Sequence, residues 1–313
     1  MVRFLIKIAL FSVLFAGLVY AIGKRLSRNA ESKNYYNYNI EDNVLITPED
    51  THFDFVMLGL SHARNFSRHK NHIRVEKILD MKFINYGKGG GFGNAANQYV
   101  FLKYFLSQGN TADQVLYALT MPMFFNEEID RNAFTYQYEI LNPDFFYQVL
   151  AGPDLNKGEK LYTYVRTKFK KFWRERYGPW SEESRDVVLE KIDTTVINEG
   201  FKAAYVNGLE FSAFERNKKI IIKTIELAQK NNMEITFFVT PSTFGVWPGH
   251  EHVMEFMQEM EKEYGVKTYD FSKIYLHQNE YFYDHHHLNT TGVEKFTKEY
   301  LKPLLNHELL ESQ

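Results

Sequence analysis

The stretch Phe53–Phe66, FDFVMLGLSHARNF, decides how the rest of the chain is read. Its apolar run, Phe53 to Leu58, passes through Gly59 and delivers Ser61 at its end. A short apolar run closed by Gly and Ser predicts a buried strand entering a turn. Open α/β sheets carry their chemistry at that place, the carboxyl ends of the strands. A second stretch, Tyr283–Gly292, YDHHHLNTTG, supplies Asp284 and, three residues on, His287. A serine hydroxyl attacks little at neutral pH unless a base takes its proton and a third group orients the base. Ser61, His287 and Asp284 are candidates for all three parts. Each has a plainer use too. Serine at a strand end commonly caps a helix by satisfying a free N–H, and a histidine run can be a solvated turn or a metal site. Adjacent histidines point in different directions, and no second His/carboxylate pair at ligand spacing appears, so no metal and no cofactor is assigned.

Outward from Phe53, strands and helices alternate. Strands are expected at 53–58, 83–86, 115–119, 235–239 and 266–269, with helices at 72–80, 95–106, 213–230, 251–264 and 291–305. That alternation predicts an α/β fold, a doubly wound parallel sheet of flavodoxin-like order 2-1-3-4-5. From about 122 to 211 the strands disappear, and a mainly helical insertion is expected, punctuated by Pro143, Pro153 and Pro179. The α/β domain is drawn from 51 to 313, preceded by a polar linker over 24–50.

Residues 1–23 differ in kind. Phe4 to Gly23 is apolar except for Lys7 and Ser12, with Arg3 before it and Lys24, Arg25 and Arg28 after. About 20 such residues just span a bilayer core as a helix. A cleaved signal peptide is the rival, with Val19 and Ala21 as acceptable small residues. An uncleaved anchor holding the domain outside the cytoplasm is the expectation; cleavage would make the protein secreted. Charge flanks both ends, so orientation is not read from it. A net charge of −2 gives no pull towards nucleic acid. The absence of cysteine removes disulfides, thiol catalysis and Cys-type zinc sites.

Asn85–Asn94, NYGKGGGFGN, follows the second strand. Glycines there let backbone N–H groups approach a ligand, as an oxyanion hole requires. The rival is a dinucleotide fingerprint, Gly91-x-Gly93-x-x-Ala96. It needs an acid at the end of the next strand, and Leu119-Thr120-Met121 offers none.

Strand–G-x-S, N-x-G-x-x-G after the second strand and D-x-x-H before the last helix together resemble the SGNH (GDSL-like) hydrolase superfamily, over residues 53–305 outside the insertion. The resemblance implies Ser61 as nucleophile and as one oxyanion donor through its own N–H, Gly90 as another, His287 as base and Asp284 as its partner. Two departures stand out. Leu60 occupies the place of the usual Asp, and Thr120-Met121-Pro122-Met123 occupies the place of the family's asparagine after the third strand; Asn94 or Asn126 is the expected substitute. Anchored, exported members of this kind act on acyl esters of envelope polymers, some beside a membrane-bound O-acyltransferase. The resemblance therefore implies an esterase or acyltransferase on an acylated polysaccharide. A non-catalytic binding or scaffold subunit is the alternative, and the missing asparagine is its support. Trp247, after the fourth strand, is expected either to stack on a sugar or to anchor its loop. Lys168–Trp180, KFKKFWRERYGPW, is read as a solvated basic face or a membrane-surface contact.

Overall fold

A computed structural model describes residues 1–31, 45–89, 91–170 and 186–309. Five strands form one wholly parallel sheet: β1 (His52–Gly59), β2 (Phe83–Asn85), β3 (Thr111–Leu119), β4 (Glu234–Val239) and β5 (Lys267–Asp270). Their order is β2-β1-β3-β4-β5, the doubly wound order expected above. Register pairs Met57 with Asn85, Gly59 with Ala118, and Val239 with both Leu119 and Asp270. The carboxyl ends therefore line up along one edge of the sheet, with β1 flanked by β2 and β3.

Alternation along the strands explains the apolar runs. Val56, Leu58, Val115, Tyr117 and Phe237 enter one core layer, whereas Phe55, Met57, Leu116, Ala118 and Phe238 enter the other. Both faces are covered, so both sets must be apolar. The helices fall between the strands. α1 (Val2–Glu31) precedes the sheet, α2 (Ser61–Arg64) and α3 (Asn71–Leu79) follow β1, and α4 (Ala95–Ser107) follows β2. After β3 come α5 (Met121–Phe125), α6 (Glu127–Arg131), α7 (Pro143–Ala151), α8 (Lys157–Thr167) and α9 (Thr194–Ala204), in the stretch expected to be helical. Then α10 (Phe211–Lys230) leads into β4, α11 (His250–Tyr264) into β5, and α12 (Thr290–Phe296) opens a helical run that closes at Leu305. Most of Lys168–Trp180, from residue 171 onward, lies outside the described residues.

Buried charge pairs brace the helical segment internally and tie it to the loop after β2. Lys160 Nζ meets Asp154 Oδ1 at 2.5 Å, and Lys88 Nζ, in the loop after β2, meets Glu139 Oε1 at 2.5 Å. Both pairs are nearly sealed from solvent, so removing one partner would strand the other, a cost of about 3–5 kcal/mol. Glu139 also accepts the N–H of Leu45, which is buried with Ile46. The expected linker thus starts as helix, through Glu31, and enters the core at Leu45 and Ile46; residues 32–44 lie outside the described residues.

Val2–Leu26 of α1 is long and apolar enough to cross a membrane, and its apolar side chains are exposed. At Gly23 the helix meets the helical segment: a Cβ there would lie 2.5 Å from Leu141 Cδ2. A side chain there would require the Leu141 tip to shift. The full-length chain is expected to stay with membranes through a high-salt wash and to leave only with detergent. Release by salt would mean charge-held binding, and a mature N-terminus near Ile22 would mean cleavage.

Candidate active site

Gly59, the last residue of β1, has φ +141°, and a Cβ on it would sit 2.6 Å from the Ala118 carbonyl oxygen. That conformation turns the chain sharply out of the sheet, and Ser61 becomes the first residue of α2. Leu60 takes the N-cap position and no side chain caps this helix. The plainer role for Ser61, a helix cap, is therefore not the one it fills.

Its hydroxyl Oγ instead lies 2.7 Å from His287 Nε2. On the other side of the ring, His287 Nδ1 is 2.8 Å from Asp284 Oδ2. The second carboxylate oxygen, Oδ1, accepts the backbone N–H groups of His286 at 3.0 Å and His287 at 2.8 Å. Burial pushes the Asp284 carboxyl up, but the hydrogen bond from His287 and the neighbouring imidazoles outweigh it and hold the group well below the usual carboxylate range. An ionised carboxylate accepts only, so the proton sits on Nδ1 and the Nε2 lone pair faces Ser61. The Tyr283 ring stacks on His287 at 5.4 Å and 8°, which fixes the plane of the imidazole.

The three histidines divide. His285 Nε2 accepts the Asp193 N–H at 2.9 Å, and its carbonyl takes both the N–H and the hydroxyl of Thr243; it is a structural tie. His286 and His287 do not point apart as expected. Their rings are 4.0 Å apart, and His62, the residue after Ser61, lies 5.4 and 5.0 Å from them. The turn is pinned at both ends by the Phe282–Leu288 bridge and by the Tyr283 N–H to the His287 carbonyl, and that brings both rings to one side. Burial, then the neighbouring His287, lowers His286 to about 3. Burial, then His287 and His286, pulls His62 well below the usual histidine range. Both are neutral at pH 7.

The glycine loop presses against the turn that carries Ser61. A Cβ on Gly87 would meet Arg64 N at 2.5 Å, and one on Gly89 would meet Ser61 Cβ at 3.2 Å. Asn85 braces the junction, donating to the Ala63 carbonyl at 2.7 Å and accepting the Gly87 N–H at 2.8 Å. Gly90, the expected oxyanion donor, lies outside the described residues.

Neither expected substitute for the asparagine is available. Asn94 is fully buried as the N-cap of α4: Oδ1 accepts the Asn97 N–H, and Nδ2 donates to the Ile129 carbonyl. Asn126 caps α6 in the same way and donates to the Ala204 carbonyl. Both amides are consumed by capping, because a helix start leaves N–H groups that need acceptors. The residue that does border the site is Thr120, one past β3. It is buried, its Oγ1 has no hydrogen-bond partner among the described residues, and it lines the same 220 Å³ cavity as Ser61, Gly89, Trp247 and His286. In the sequence a lone threonine after a strand carries no signal that marks its hydroxyl. Trp247 packs edge-on to His286 at 5.2 Å and against Phe201 and Phe244. A larger cleft of 700 Å³, bordered by Met257, Glu261 and Lys267, contains none of these groups.

No family model matches the chain, and no curated protein matches it. Among solved structures the chain is similar to the crystal structure of a candidate acylhydrolase from Bacteroides fragilis. Identity is 10%, the TM-score is 0.44, and the match covers 88% of this chain and 99% of that one. A likeness that distant carries no argument, so the reading of the site rests on its own geometry.

Proposed function

We propose that this chain is a serine-dependent ester hydrolase or acyltransferase of the SGNH kind. The observation that carries the reading is the unbroken line Ser61 Oγ, His287 Nε2, His287 Nδ1, Asp284 Oδ2, with both contacts below 3 Å. A scaffold has no physical need for a carboxylate-oriented imidazole aimed at a hydroxyl. In the proposed reaction Ser61 Oγ attacks the ester carbonyl carbon as its proton passes to His287 Nε2. The resulting oxyanion faces the Ser61 N–H, which is free of helical hydrogen bonding at the first turn of α2, and the Gly90 N–H that the resemblance implies. Collapse returns the proton to the departing alcohol oxygen and leaves an acyl-enzyme. Water, or a second sugar hydroxyl, then attacks that ester by the same steps in reverse.

The cavity favours a small acyl group. At 220 Å³ it is below the range of drug-sized sites, about 300–1,000 Å³, and acetyl is the group assigned. Trp247 forms an aromatic wall on which the acyl methyl or a sugar ring would rest. An envelope polysaccharide as substrate, the extracytoplasmic side and a membrane-bound O-acyltransferase as partner follow from the resemblance and the apolar helix together. The full-length protein is tested with a serine-directed fluorophosphonate and short acyl esters: covalent labelling with acetyl-ester turnover supports the reading. Absence of both would favour the binding subunit, which the lost asparagine suggests.

Thr120 is assigned as the donor that stands in for that asparagine. Replacing it by valine keeps the shape and removes one hydroxyl. Thr120→Val is expected to lower turnover by about 10–100-fold, somewhat less than loss of a strong oxyanion donor. It should not lower Tm, because a buried hydroxyl without a partner costs stability. Undiminished turnover in this variant would remove Thr120 from the hole.

A further inference from the structure

His62, His286 and His287 each place one ring nitrogen within 4.8 Å of the others. This cluster is assembled from two distant parts of the chain, and the hydrolytic reading uses only His287. Its other members carry unspent capacity. His62 Nδ1 is buried without a hydrogen-bond partner among the described residues, in a residue only 8% exposed. His286 lines the cavity, with its side chain 30% exposed, and approaches Asp284 Oδ1 through Nδ1 at 3.7 Å. His287 is held by Asp284 through Nδ1. A carboxylate on the far nitrogen of an imidazole is the arrangement that orients metal-binding histidines and raises their basicity.

We propose that these three histidines form an inhibitory zinc site. Three imidazoles around one open position suit a borderline-soft divalent ion. Zinc–nitrogen bonds of about 2.0–2.1 Å need the donors roughly 3.4 Å apart, a contraction of up to about 1.4 Å that turning of the three rings would supply. The ion would take the Nε2 lone pair of His287, which Ser61 Oγ otherwise uses at 2.7 Å. The serine loses its base, and the fourth position closes over the cavity. The inhibitory half rests on the proposed hydrolytic function; the metal site does not.

Two measurements on the full-length protein separate these halves. The first is zinc binding by calorimetry to metal-free Ser61→Ala, which has no activity to consider and leaves the three histidines in place. One ion per chain is expected, bound at least as tightly as by wild type, since His287 Nε2 no longer bonds the serine. Cobalt in its place should give the visible absorption of a four-coordinate nitrogen site. His62→Ala and, because that residue is buried, His286→Asn as a second variant should each weaken binding at least about tenfold. The second measurement is fluorophosphonate labelling of wild type, which zinc at ten times its dissociation constant should slow about tenfold by mass action and a chelator should restore. Absence of stoichiometric binding, or binding indifferent to both histidine variants, would overturn the site. Zinc that accelerates turnover would overturn the inhibition. Stoichiometric binding to a protein that neither labels nor turns over would keep the site and discard the hydrolase.

Discussion

Ser61→Ala is expected to abolish fluorophosphonate labelling and to lower ester turnover by at least about 10⁴-fold, leaving only what the oxyanion hole and binding contribute. The size follows from the arrangement. Without Oγ no acyl-enzyme forms, and no other hydroxyl is shown within reach of His287 Nε2 among the described residues. His287→Ala should cost about as much, because groups that act as a unit fail together. Stability is the control. Ser61 makes no cap bond and ends in a cavity, so its removal should leave Tm nearly unchanged. His285→Ala should behave in the opposite way, retaining chemistry while losing the side-chain tie to the Asp193 N–H; the bonds from Thr243 go to the backbone carbonyl and stay. Labelling that survives Ser61→Ala would move the nucleophile elsewhere.

Asp284→Asn is the second large effect, a loss of about 10³–10⁴-fold with the fold retained. Asparagine keeps the shape but can leave His287 in the wrong tautomer, with Nε2 carrying the proton it should accept. In wild type, activity should show an acid limb, because a protonated base cannot accept the Ser61 proton. His62 and His286 cannot supply that limb, because burial holds both neutral far below it. Stability carries a second signature. Burial pushes the Asp284 carboxyl up, but the bond from His287 and the neighbouring imidazoles hold it low in the folded state. Its stabilisation is therefore complete above the ordinary aspartate value of about 3.9 and drains only as pH falls below it. Asp284→Asn should be less stable than wild type at pH 7, with the gap closing in acid. A flat activity profile from about pH 5 to 9 in an active enzyme would contradict a histidine base.

The strand pattern was legible because a parallel sheet buried on both faces demands unbroken apolar runs, and Phe53–Leu58 and Ile235–Val239 are such runs. β3 starts four residues earlier than its apolar stretch, at Thr111, since the exposed Asp113 and part-exposed Gln114 mask the period while the ladder to β1 holds them. The Asp284–His287 contact was equally readable: three residues in one turn bring a carboxylate to a ring by local geometry alone. Distance along the chain marks where that kind of reasoning ends. Ser61 and His287 are 226 residues apart, and nothing in either segment says their ends meet until β1, the glycine loop and the closing turn are packed together. Asn94 looked like a donor because its residue type was right, yet α4 had already claimed both ends of its amide. Thr120 looked inert because a lone threonine carries no signal; only burial without a partner marks its hydroxyl. His62 is the plainest case. One residue beyond the nucleophile, it reads as the next position of a short helix, and its ring joins His286 and His287 only because α2 turns it inward. The chain by itself determined which residue types were present and which local turns they favoured. Which side chains share a cavity, and which polar atoms remain unspent, was decided by tertiary packing, because burial and hydrogen-bond satisfaction depend on neighbours that sequence order does not name.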